Sequence, residues 1–422
     1  MKKLIFNLDD IKKKNINNLV YFSDNYKDIL KDNSGKYIYP NFCENNEEKL
    51  YHLKKINILK KDIFLEIIQL LNDYFGIKYD EKFWRILIGP WFDFSIETFY
   101  NRLNLIRKIS ESHDISDATL FYEGDFQNIS SKNTLQFIYN IDDSFWNRKI
   151  YILILDYLRI RLDKNIVEKK KLKKNKKKII NFKSIFNNIL TNFVQFGNKL
   201  VVNTPLSNFK ELKLQIMIKQ FPLLFVYDKF SNSKFKYKFN KNLRNDLYEE
   251  YTKKNLNKNK DNDKDFYVKL LIMSIPIIFL ENFEVFKNKI IDNKFFKKLK
   301  IIISSQNFDE NEYFKFLAAF SYLNGCKIYY LQHGNIDGVT IFDIYDNHIK
   351  TPDRYYTWGW SKLNLNNVEK KNVSSFYNLR CSGNKVFDRN SNFKNKIVFF
   401  GPHFYRRRHF WDVFRFNKSL YN

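Results

Sequence analysis

Residues 301–334 constrain this chain most. Ile301-Ile302-Ile303 and Lys327-Ile328-Tyr329-Tyr330-Leu331 are short apolar segments of strand composition. Between them Tyr313, Phe316, Leu317, Phe320 and Leu323 recur at helical spacing and predict one apolar helix face. Asp309 and Glu312 have the spacing of a capping box at its start. Gly325 closes it where left-handed backbone is cheap. Strand, helix, strand is a βαβ unit, and its right-handed crossover makes the two strands parallel. The second strand runs straight into Gln332-His333-Gly334. In open α/β sheets ligands bind at the carboxyl ends of strands. An imidazole, with an ordinary pKa of about 6.5, exchanges protons near neutral pH. His333 is therefore the candidate catalytic residue, with Gln332 a substrate contact and Gly334 a point where backbone can approach a ligand closely. The plainer alternative is a histidine satisfying backbone groups in a turn.

Further candidates follow along the chain. Asp337 and His348, in the loop after this turn, either line a cleft or are solvated. Residues 354–358 read as another strand in Asp353-Arg354-Tyr355-Tyr356-Thr357-Trp358-Gly359-Trp360-Ser361. Asp353, Arg354 and Trp358 are candidates for the wall of a sugar or base site, with core packing the alternative. Trp84 and Trp91 read as core. His403 and Arg406 stand in a basic run, Arg406-Arg407-Arg408, whose guanidinium groups match phosphate in bidentate geometry; a solvated surface is the alternative. His333 and His348 have no third ligand at metal spacing, so no metal site is expected.

The chain has 422 residues, 44% of them apolar, enough for two or three domains of about 100–200 residues each. Residues 1–165 read as an N-terminal α/β region with long helices. It has strands at 3–6, 19–22 and 118–122, a helix at 47–75, and an amphipathic stretch to 109 that Gly89-Pro90 is predicted to break or kink. Residues 166–182 form a Lys-rich linker: eight of the ten residues 169–178 are lysine, and like charges at that density cannot pack. Residues 183–390 read as a Rossmann-like domain carrying the Gln-His-Gly turn. Its expected elements are a strand at 199–202, a loop at 203–207, a helix at 209–220, a mobile polar stretch at 252–265 and helix at 266–290 interrupted near Pro276. Residues 391–422 open a second Rossmann-like domain with a strand at 396–400, and the chain ends before that domain is complete.

Net charge is +27. Part of it reflects a general bias toward Lys, Asn, Ile, Phe and Tyr, and the rest fits anionic partners. Three scattered cysteines argue against a disulfide framework and fit a reducing cytoplasm. The amino terminus lacks the apolar core of a signal peptide. The longest uncharged apolar run, 270–280, is far short of the about 20 residues a spanning helix needs, so membrane contact is expected to be peripheral. The lysine run suits anionic head groups, at about 1 kcal/mol per basic residue near the surface. Zinc-finger spacing, GxxxxGK[ST] and GxGxxG are missing, so no specific nucleic acid is expected. Non-specific binding through phosphates remains an alternative.

Phe83-Trp84-Arg85-Ile86-Leu87-Ile88-Gly89-Pro90-Trp91 resembles a signature of a transferase family encoded in O-antigen and surface-carbohydrate gene clusters. Leu331-Gln332-His333-Gly334 and Asp353-Arg354-Tyr355-Tyr356-Thr357-Trp358-Gly359-Trp360-Ser361 resemble two further motifs, in the same order. The likeness runs from about residue 39 to about residue 383. It implies a glycosyltransferase-B-like α/β fold, with Rossmann-like parallel sheets, helical additions and an incomplete second Rossmann-like domain. It also implies sugar transfer from a nucleotide sugar to a hydroxyl on a lipid-linked or growing glycan of O-antigen, lipopolysaccharide or capsule, at the inner face of the cytoplasmic membrane. The His-Gly turn is similar to that of teichoic-acid polymerases and capsule transferases, where the histidine is the base. The resemblance carries that role to His333, with the nucleotide sugar as substrate and no cofactor. Ile349 departs from the pattern, which has an acidic residue after the histidine matching His348. The rival readings are a basic nucleic-acid-binding protein, a truncated remnant that binds without turnover, and a nucleotide-sugar epimerase.

Overall fold

The computed structural model describes residues 2–6, 19–22, 37–38, 43, 45–122, 124–166, 197–220, 237–255, 262–292, 297–305, 307–332, 347, 350–357 and 369–372. In chain order the elements begin with β1 (Lys2–Ile5), β2 (Leu19–Phe22), β3 (Tyr37–Ile38), α1 (Asn46–Phe75), α2 (Glu81–His113) and β4 (Ile115–Tyr122). There follow α3 (Thr134–Ile141), α4 (Ser144–Tyr157), β5 (Arg161–Ile166), β6 (Lys199–Val201), α5 (Asn208–Met217), α6 (Lys241–Lys254) and α7 (Asn262–Ser274). A 3-10 turn (Ile277–Phe279) leads to α8 (Phe283–Asp292), β7 (Ile301–Ser304), α9 (Asn307–Glu310), α10 (Glu312–Leu323), β8 (Lys327–Leu331), β9 (Arg354–Thr357) and β10 (Glu369–Asn372).

The chain divides into two compact units. The described residues of 1–180 and 232–289 build the first, and those of 181–231 and 290–407 the second. The helices of 241–289 therefore belong with the N-terminal residues, not with the domain expected over 183–390. Each unit holds a five-stranded sheet, and all pairings are parallel. The molecule is thus α/β with parallel sheets, as expected. Residues 391–422 lie outside the described residues.

The first sheet has the order β3-β2-β1-β4-β5, the pattern of doubly wound folds, which reverse direction at a switch point; here that point lies between β1 and β4. Beside it lie two long helices. Asn45 caps α1 by accepting from the Glu48 amide at 2.9 Å, and Gly76 ends it at φ +62°. Asp80 caps α2 through the Phe83 amide at 2.9 Å. His52 meets Tyr100, Lys60 meets Glu97 and Phe64 meets Phe92, so the two helices run antiparallel.

Of the break or kink expected at Gly89-Pro90, a break does not occur; α2 continues through Pro90 to His113. A proline inside a helix costs about 3 kcal/mol. Part of that cost is a clash with the Cβ of the preceding residue, which Gly89 lacks. The remainder is offset by burial: Phe83, Trp84, Ile86, Leu87, Ile88 and Trp91 are all fully buried, at about 1.5–3 kcal/mol for each large apolar side chain. Both tryptophans are core, as their sequence setting suggests.

The polar stretch 252–265 contains the end of one helix and the start of another. Helix α6 runs to Lys254 and α7 starts at Asn262. Asp263 accepts both ends of the Arg107 guanidinium, at 2.8 and 3.1 Å, and the Tyr157 hydroxyl at 2.7 Å. Composition alone does not reveal such long-range partners.

The second sheet has the order β10-β9-β8-β7-β6, so chain neighbours are also neighbours in space and β8 is the central strand. The βαβ unit forms as its pattern predicts, except that Asn311, not Asp309, caps α10, accepting from the Phe314 amide at 2.9 Å. Asp309 is taken up in the short helix α9. Gly325 has φ +80°. Tyr313, Phe316, Leu317 and Phe320 are buried, while Leu323 is exposed.

Candidate functional site

The carboxyl edge of the second sheet is built from the residues that leave β6, β7, β8 and β9. After β6, Asn203 turns at φ +53°, and the Glu211 carboxylate from α5 accepts the amides of Asn203 at 3.0 Å and Thr204 at 2.6 Å, together with the Thr204 hydroxyl. Burial pushes the Glu211 carboxyl above its ordinary range, against these hydrogen bonds. At the end of β7, Ser304 donates to the Val202 carbonyl at 2.7 Å, and the next residue, Ser305, donates to the Asn203 carbonyl at 2.6 Å. Asn307 donates to the Ser304 hydroxyl at 3.1 Å. These side chains tie the ends of β6 and β7 together and hold their backbone in one arrangement. Glu211 and the two serines were not sequence candidates; the signal available was polar residues directly following apolar strands.

Gln332 follows the central strand. It is buried, and its amide donates to the Tyr356 carbonyl of β9 at 2.9 Å. The parallel ladder therefore extends one residue past Leu331, and the chain is held by backbone up to the position before His333.

Asp353 and Arg354 are not brought to that edge. The Asp353 carboxylate accepts the Ile328 amide at 2.9 Å, and its own amide donates to the Ile328 carbonyl at 2.8 Å. Arg354 pairs with Tyr329 in the ladder, and its guanidinium lies 5.4 Å from the Tyr329 ring centroid, within cation–π range. Both stand where β9 begins. In a parallel sheet at about 3.3 Å per residue, Asp353 lies about 13 Å along the strand direction from the level of Gln332. Asp353 sets the register of β9 on β8 through these bonds. His333, Gly334, Asp337, His348, Trp358, His403 and Arg406 lie outside the described residues.

The first unit contains a polar network that its sequence only partly signals. Asp93, Glu97 and Asn101 recur every four residues on α2, which puts them on one face, and all three are buried. Lys60 from α1 pairs with Glu97 and lies 3.6 Å from Asp93. His52 Nδ1 and the Tyr100 hydroxyl are 2.6 Å apart; burial, then Lys55, lowers the His52 pKa. Arg102 donates to Asn147 at 3.2 Å and to Asn101 at 2.6 Å. The polar groups in these contacts are matched to one another, which is the chemistry of helix registration.

Among the described residues, no group of three or more His, Cys, Asp or Glu could hold a metal ion, and no helix is long and apolar enough to cross a membrane. Cys43 and Cys326 are buried thiols, and burial, with Glu48, pushes Cys43 up to about 12.

A family model described as LIC12162 family transferase matches residues 9–419. Among curated proteins and solved structures, none matches the chain.

Proposed function

Because the chain belongs to the LIC12162 family of transferases, we propose that it moves a sugar from a nucleotide donor to a hydroxyl of a lipid-linked or growing glycan in surface polysaccharide synthesis. The observation that carries this reading is Gln332, a buried residue bonded to β9 at the carboxyl end of the central parallel strand, with a histidine next in the chain. Strand ends of this kind are where α/β proteins place ligands. Two parallel α/β sheets in one chain support a glycosyltransferase-B-like frame.

In this proposal the neutral imidazole of His333 takes the proton of the acceptor hydroxyl as its oxygen bonds to the sugar's anomeric carbon. The bond from that carbon to the donor phosphate breaks, and the nucleotide leaves with the electron pair, inverting the centre. A base in this role is worth about 10²–10⁴-fold in rate. Gly334 leaves room for the acceptor, and Asp337, His348 and Trp358 line its path. His403 and Arg406 hold the donor phosphates, so the step requires no metal and no cofactor. Arg354 stands at the start of β9, at the far end of that strand from its carboxyl edge, so the phosphate role falls to His403 and Arg406 in this proposal.

The test is to incubate the full chain with a panel of nucleotide sugars and envelope glycans, without divalent cations, and to follow nucleotide release and glycan mass together. A gain of one sugar mass per nucleotide released is expected. Nucleotide release without glycan growth would make the protein a hydrolase, and no turnover of any donor would refute the reading.

A further inference from the structure

A cavity of about 340 Å³ lies within the first unit, in the size range of small-molecule sites. Its wall at one side is Phe126 and Gln127, in the turn that follows β4. Helices α4, α6 and α7 close the other sides.

The lining has a definite chemistry. Tyr157 stacks on Phe266 with ring centroids 4.1 Å apart and 7° between planes, and Tyr248 and Phe126 add two more rings. The polar side chains are the carboxylates of Asp156 and Glu249, the amides of Gln127 and Asn245, the Tyr248 hydroxyl and the Lys269 ammonium. Two carboxylates and one lysine, Lys269, leave the lining acidic in a chain of net charge +27. An anion would be repelled there. A cation would meet Lys269, whose ammonium already lies 5.6 Å from the Tyr248 ring centroid. A neutral ring bearing several hydroxyls meets neither obstacle. Its C–H face packs on the aromatic rings, whose faces are electron-rich, and its O–H groups donate to the carboxylates of Asp156 and Glu249.

We propose that this cavity is a binding site for a neutral, hydroxyl-rich ring, a pyranose unit. The site is made wholly of first-unit residues. It requires neither His333 nor a nucleotide donor, so it stands or falls apart from the transfer reaction.

The experiment is saturation-transfer difference NMR on the full chain. The probes are the methyl pyranosides of glucose, galactose, mannose and N-acetylglucosamine, with glucose 1-phosphate as the anionic and benzyltrimethylammonium as the cationic control. At least one neutral glycoside is expected to receive saturation more strongly than either control. Glu249→Ala and Tyr248→Ala are each expected to cut that signal several-fold. Glu249 is exposed, so its variant is expected to keep the thermal midpoint of the parent and to read binding even where Tyr248→Ala fails to fold. No transfer to any neutral glycoside, stronger transfer to a charged control, or a signal unchanged in Glu249→Ala would each overturn the proposal.

Discussion

Arg244 is fully buried, and its guanidinium is shared between the Glu281 carboxylate, at 2.7 and 2.8 Å, and the carbonyls of Ile272 and Ile275, both at 2.8 Å. Removing one partner of such a pair strands the other charge in a dry interior, at about 3–5 kcal/mol. Arg244→Leu is therefore expected to lower unfolding free energy by that amount in urea titrations, and a loss below about 1 kcal/mol would show that water reaches the site. Asp263 carries a pH signature. Burial raises its pKa, but the hydrogen bonds from Arg107 and Tyr157 and the Arg107 charge outweigh this and hold it below its ordinary value of 3.8. A depressed carboxyl stabilises the fold above its unfolded pKa, and that contribution is lost as pH falls through the folded value. Asp263→Asn should thus be less stable than the parent at neutral pH, with the gap narrowing as pH drops below 3.8. A gap independent of pH would contradict the ion pair.

The elements show what could be read in advance and what could not. Helix α1 and the β7–α10–β8 unit were legible from the spacing of their apolar residues, whereas the continuity of α2 through Gly89-Pro90 was not, because burial on nearly all sides of that helix decides it. β5 and β10 were not, since Arg161, Asp163 and Lys164, or Glu369, Lys370 and Lys371, are a poor strand signal and pairing with a neighbour decides their state. Gln332 was legible as a strand end, while Asp353 and Arg354 were grouped with Trp358 because closeness in sequence cannot tell the two ends of a strand apart. The cap of α10 is a direct check. Asn311→Ala should cost about 0.5–2 kcal/mol and Asp309→Ala much less, and the reverse order would restore the expected capping box. The outer edge of β6 offers another. Gln220 accepts from the Val201 amide at 2.7 Å, and Gln220 and Gln215 both donate to its carbonyl, at 3.0 and 2.8 Å, so two side chains stand where, among the described residues, no further strand pairs. Uncapped edges recruit other chains. Gln220→Ala is expected to lower stability by about 1–3 kcal/mol and to raise self-association in sedimentation velocity, whereas a monodisperse, equally stable variant would deny the glutamine that role.

At the scale of the molecule, two parallel sheets are held in a chain of net charge +27. If that charge serves peripheral attachment, as we propose, the protein should sediment with vesicles containing anionic lipid at low salt. It should leave them as screening lengths shrink to about 8 Å near 0.15 M salt and to about 3 Å at 1 M, and should ignore zwitterionic vesicles throughout. Salt-resistant binding to zwitterionic vesicles would point to apolar insertion instead. The proposed transfer chemistry depends on one group, the imidazole that follows Gln332. The decisive measurement compares the turnover of His333→Ala with that of the parent on the same nucleotide sugar and acceptor, with donor affinity determined alongside. A fall of about 10²–10⁴-fold in kcat with donor binding retained is the predicted result; equal turnover in the variant would contradict a base at His333.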